Sequence, residues 1–222
     1  MSTAPASTHS HLRGVRAGVC MLFACFGMTL ATWAVHLPSV QRATGMSTAM
    51  VGTILLISGM GALLGMQVCG PLADRLGSST VGLFTGAAMA VSVLAPLAAP
   101  STGWVAGGAL LFGAATGAAD VAMNAAAVEV ERAYGRPIMG SFHAVFSLGS
   151  VAGSVFATIG FLLRLSTLVA SATVAGVVGV MLLAVSGVLR NADLGDPVAD
   201  APDETPPERT SASVPPLRVI VL

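Results

Sequence analysis

The sequence predicts an all-α membrane protein with six transmembrane helices, and three observations lead there. Hydrophobic residues make up 55% of the 222 residues, charged residues only 9%, and mean hydropathy is +0.85, whereas a water-soluble domain carries roughly a quarter charged residues. Apolar runs recur between charges or Pro/Gly clusters, each near the roughly 20 residues a helix needs to cross a bilayer core about 30 Å thick. Arginine, which supplies all ten basic residues, collects on alternate connections between those runs.

Taken in order, the spans cover residues 15–37, 48–73, 80–98, 103–128, 138–163 and 167–189. The first follows Arg13 and Arg16 and has the outline of a secretory signal. Its apolar run is long, and further runs of the same kind follow, so it reads as an uncleaved span. Residues 1–12 before it read as a disordered cytoplasmic N-terminus. The break between the third and fourth spans rests on Pro96 and the Pro100-Ser101-Thr102-Gly103 turn, since no charge marks it. Arg13, Arg16, Arg75, Arg132, Arg136 and Arg190 fall on one side and only Arg42 and Arg164 on the other, which puts both ends in the cytoplasm. Residues 13–190 thus form one six-helix domain. Residues 191–216 turn to Pro, Asp, Glu, Ser and Thr, a composition that cannot bury enough apolar surface to fold and predicts a solvated cytoplasmic linker. Residues 217–222 read as the start of an incomplete seventh span.

Small residues indicate how the spans pack. Gly61 and Gly65, Gly113 and Gly117, and Gly149 and Gly153 are each spaced by four, which lets helix backbones approach closely where lipid supplies no hydrophobic drive. Cys20, Cys25 and Cys69 have neither metal-ligand nor disulfide spacing and read as packing residues. Net charge is zero, so nothing argues for nucleic acid, and neither a metal nor a cofactor is expected.

Across residues 43–128 the only charged side chains are Asp74, Arg75 and Asp120. At about 1.5 Å per residue, Asp120 lies roughly 16 Å from Glu131, the charged end of its span, and so near the bilayer midplane. An acid at that depth costs on the order of 3 kcal/mol and usually faces a bundle interior or a wet cavity. Asn124 lies one turn away on the same face. His143 of the fifth span reaches a depth similar to that of Asn124, so the two are expected to face one another across antiparallel neighbours, with Ser141 and Ser147 adding hydroxyls to the same wall. Two readings stand: a proton-exchanging acid on a solute pathway, or a carboxyl that merely hydrogen-bonds Asn124 or His143 as interhelical glue worth about 0.6 kcal/mol. His36, beside Trp33 at the outer end of the first span, reads as interfacial. Glu129 and Glu131, with Arg132 and Arg136, read as a solvated loop.

The connection GPLADRLGSS, 70–79, is expected to clamp a hairpin. Gly70 would allow close packing, Asp74 would accept hydrogen bonds from the free amides of the next helix, and Arg75 would lie at phosphate level. This loop resembles the signature of the major facilitator superfamily, G-x-L-a-D-r-x-G-r-k, through Gly70, Leu72, Ala73, Asp74, Arg75 and Gly77, with Ser78 and Ser79 where the family has two basic residues. The resemblance implies two inverted three-helix repeats, half of a twelve-helix fold in the inner (plasma) membrane. It also implies a C-terminal half, or a second copy, as partner. The D-x-x-x-N pattern, with a polar residue in SFHAVFSLG, resembles the fucose/sugar proton symporter branch, and a bacterial branch with the same span-five histidine still more. That likeness implies proton coupling at Asp120 and contacts to a small polar solute from Asn124 and His143, with Trp33 and Ser147 as further candidates. The expected function is secondary active transport, not catalysis: Ser141 and His143 lie two apart on one helix and cannot form a protease pair, and a lone membrane acid cannot hold the metal of a head-group transferase. The alternative is a truncated or split product without transport activity of its own.

Overall fold

The structure, a computed structural model, describes residues 6–192, and it is helical nearly throughout. Its elements are α1 (Ala6–Thr44), α2 (Thr48–Leu76), α3 (Ser78–Ser92), the single turn α4 (Leu94–Leu97), α5 (Thr102–Tyr134), α6 (Met139–Leu162) and α7 (Thr167–Arg190). With α3 and α4 counted together, 6 helices are long and apolar enough to cross a membrane. The expectations for 193–216 and 217–222 lie outside the described residues.

Helix ends obey local chemistry rather than hydropathy. α1 begins at Ala6, so the stretch expected to be disordered is helical from that residue on, and it continues through Pro38 to Gly45, whose φ of 69° ends it. α5 runs past the expected end at 128 through Glu129, Glu131 and Arg132, all compatible with a helix. It stops at Gly135, left-handed at φ 64°, whose N–H closes onto the carbonyls of Glu131 and Arg132. Ser47 and Ser166 cap α2 and α7 through bonds from the N–H groups of Met50 and Val169. The third span breaks at Val93, and α5 starts two residues beyond Pro100.

Two parallel seams hold the bundle. Along α2 and α5, a Cβ on Gly61 would overlap the Leu110 carbonyl oxygen, and one on Gly117 that of Ala62. Along α1 and α6, Gly149 and Gly153 press on the carbonyls of Ala24 and Met28, and Gly27 on that of Phe146. The expected glycine pairs are therefore the contact points, with Gly27 an addition. The seams correspond to each other. Exchanging the first three spans for the last three converts the α2–α5 seam into the α6–α1 seam, and the packing of α3 on α5 into that of α7 on α1. Two inverted three-helix units thus interlock, each lending its second helix to the first helix of the other. The core lies around α1 and α5, where Phe23, Phe112, Met89, Val105 and Val130 are fully buried. α2, α6 and α7 turn large apolar residues outward, among them Leu56, Met60, Leu148 and Leu183.

Candidate functional site

Alanines on α5 set the orientation of its polar residues. Ala119, Ala122, Ala126 and Ala127 are buried, while Thr116, Asp120 and Asn124, at successive turns of one strip, are left half-open. Asn124 Nδ2 donates to Asp120 Oδ1 at 3.1 Å and to the Asp120 carbonyl oxygen at 2.8 Å. The amide thus holds the carboxylate in one orientation and leaves its other oxygen available. Thr116 bonds back to the Phe112 carbonyl and adds no donor to the acid.

His143 and Ser147 are exposed on one face of α6, and the Ser147 hydroxyl donates to the His143 carbonyl oxygen at 3.1 Å. The imidazole stands edge-on to Phe23 of α1, ring centres 5.5 Å apart, and Phe23 in turn stacks on Phe142. The expected direct pairing of Asn124 with His143 is corrected. α5 and α6 barely touch, because each takes a parallel partner from the other three-helix unit, and α1 contacts both. No hydrogen bond joins the two residues among the described residues. The α5 strip thus presents one oriented carboxyl and one amide, both half-open, and the α6 face presents an exposed imidazole and hydroxyl.

Other expectations are placed differently. Trp33 is 4% exposed, its ring tilted against Phe112 at 5.8 Å, so it belongs to the core and presents nothing to the open wall. Ser141 is in the first turn of α6, donating to the Ile138 carbonyl oxygen and accepting from Arg16. His36 is fully buried rather than interfacial, its Nδ1 2.9 Å from the Thr32 carbonyl oxygen and its ring on Phe161. In the loop between α2 and α3, Gly77 has φ 85°, which explains the glycine. A Cβ on Gly70 would meet nothing, so close packing within these helices does not explain that residue. Asp74 and Arg75 are exposed, and α3 has no side-chain cap, so Asp74 does not perform the expected capping.

Glu131 is the residue that sequence reading missed. Its Oε2 accepts the backbone N–H groups of Ile138 at 2.7 Å and Met139 at 2.6 Å, capping the start of α6 from the end of α5. Beside it, Arg16 and Arg136 both lie over the Tyr134 ring, 5.3 and 6.0 Å from its centre. The signal was present in ERAYGRP: an acid before a Gly turn that leads straight into the next helix.

Six interlocked membrane helices with a half-open acid in mid-span define a polytopic membrane protein of the transporter class. The sequence profile of the Major Facilitator Superfamily matches residues 17–221, and the chain belongs to that family. It is 37% identical over 175 residues to an uncharacterized transporter of Sinorhizobium fredii, which covers 77% of this chain and 45% of the relative. An uncharacterized MFS-type transporter of Yersinia pestis is 36% identical over 156 residues, 67% of this chain and 40% of the relative. The membrane protein MosC of Rhizobium meliloti is 35% identical over 127 residues, 57% and 31%. Each match thus covers less than half of the relative's own length.

Proposed function

We propose that this chain forms the proton-coupling half of a secondary transporter for a small polar solute, with its ends in the cytoplasm and Asp120 as the group that carries the proton. The observation that supports this most is the Asn124–Asp120 pair, which orients the carboxyl on a half-open strip in mid-span. An acid there is costly unless it has water or a partner to face. Enclosing a neutral carboxyl costs less than enclosing an ionised one, so protonation from outside favours the occluded state and release inward resets it. Asn124, His143 and Ser147 contact the solute in this reading. The sugar symporter branch and its fucose-like substrates remain part of the proposal, resting on the D-x-x-x-N pattern alone.

A second reading, an assembly partner without transport activity of its own, draws on the breadth of surface left open along α2 and α6. Proteoliposomes containing the chain, alone and together with a complementary six-helix half, separate the two when solutes are screened with an internal pH dye. Solute-dependent proton uptake that Asp120→Asn abolishes is the expected outcome. Uptake unchanged by the substitution would overturn the role of Asp120, and no uptake in any combination would leave the assembly reading.

A further inference from the structure

The internal hydrogen bonds of the α5 strip determine which role is left for a solute. Both N–H groups of the Asn124 amide are spent on Asp120, at 3.1 Å from its carboxylate Oδ1 and 2.8 Å from its carbonyl oxygen. These neighbours are both acceptors, so turning the amide over would set oxygen against oxygen, and Asn124 Oδ1 is the atom left open. The Thr116 hydroxyl donates to the Phe112 carbonyl oxygen at 2.8 Å, which leaves its own oxygen as an acceptor. Asp120 adds the carboxylate oxygen that Asn124 does not hold. The three half-buried side chains occupy successive turns, over about 12 Å of helix. While Asp120 is ionised, the strip therefore presents oxygen acceptors, one of them charged, and no uncommitted N–H or O–H. On α6 the hydroxyls of Ser147, Ser150 and Thr158 are spent in the same way, on the carbonyl oxygens of His143, Phe146 and Ser154. That face is also richer in acceptors, with donors left on the His143 ring and the Ser154 hydroxyl.

We propose, on the reading of the α5 strip as the solute path, that the solute is a protonated amine carrying further hydroxyl or amine donors. An ammonium group brings three donors and no acceptor, and a charge-assisted bond to Asp120 is about twice as strong as a neutral one. Further donors match the oxygens of Thr116 and Asn124, a turn to either side. A carboxylate or phosphate solute would set acceptors and like charge against the strip, and polar groups enclosed without a partner are costly. A neutral polyol can donate to the same oxygens but leaves the charge of Asp120 uncompensated.

Ligand-observed NMR titrations of the full chain in detergent at neutral pH test this with glucosamine, glucose and glucuronate, which present a cation, a neutral group and an anion on one ring skeleton. Glucosamine is expected to bind about ten-fold more tightly than glucose, and glucuronate not to bind. Asp120→Asn should erase the preference for glucosamine while leaving glucose affinity within about two-fold of wild type. Thr116→Val, which keeps the side-chain shape and removes the acceptor, should weaken glucosamine binding about three-fold. Glucose or glucuronate binding as tightly as glucosamine, no binding by any of the three, or a glucosamine affinity that neither variant lowers would overturn the proposal. Proton exchange at Asp120 is read separately, from its carboxyl band without solute, so either reading can fail while the other stands.

Discussion

Asp120 and Glu131 are carboxylates eleven residues apart on α5, and their surroundings give them different work. Asp120 has a single side-chain donor, Asn124, and stays half-open, whereas Glu131 is held by two backbone N–H groups of the next helix. Charge-assisted bonds of the second kind contribute roughly 1.5–3 kcal/mol each. Glu131→Ala should therefore lower the stability of the bundle by about 2 kcal/mol, seen as a fall in Tm in detergent, while Glu129→Ala, which leaves that cap intact, should change Tm little. Equal Tm values for the two variants would show that the cap contributes nothing. Sequence reading recognised Asp120 because a charge in a long apolar run stands out by itself. It misread Glu131 because charge near a span end is ordinary, and only the folded connection reveals that the acid points back at α6. Trp33 and His36 were misplaced for a related reason: depth along a helix can be counted from sequence, but direction around α1 depends on which neighbours cover it, and those come from distant spans.

Among the elements, the seams decide the architecture. The glycine spacing announced that α2, α5 and α6 carry close-approach faces, but it did not say which faces meet. The answer, α2 on α5 and α1 on α6, is dictated by the interlocking of the two three-helix units and runs against the expectation that consecutive spans four and five are partners. The register makes a sharp prediction. A Cβ on Gly117 would overlap the Ala62 carbonyl oxygen, whereas one on Gly176 of α7 would meet nothing within 4 Å. Gly117→Val should thus cost at least about 1–3 kcal/mol through forced separation of the helices. Gly176→Ala, by contrast, should leave stability equal to wild type or slightly higher, because alanine is the better helix former. Thermal unfolding of the two variants side by side checks this, and similar losses in both would show that the α2–α5 seam is not where the helices bear on one another.

At the scale of the whole molecule, the same interlocking that buries α1 and α5 leaves the α5 strip and the α6 face open, with Asp120, Asn124, His143 and Ser147 along them. The number of spans and their approximate limits were readable because bilayer thickness imposes a length on every crossing. The open wall was not, because it is a product of which helices are left without a neighbour. The account depends on that wall admitting water to Asp120. Infrared difference spectroscopy of the carboxyl band, recorded on the reconstituted chain across a pH series in light and heavy water, reads this directly by comparison with Asp120→Asn. The account predicts a carboxyl band that grows as pH falls, shifts in heavy water and is missing from Asp120→Asn. A band of constant intensity at every pH, or a spectrum that Asp120→Asn leaves unaltered, would contradict it.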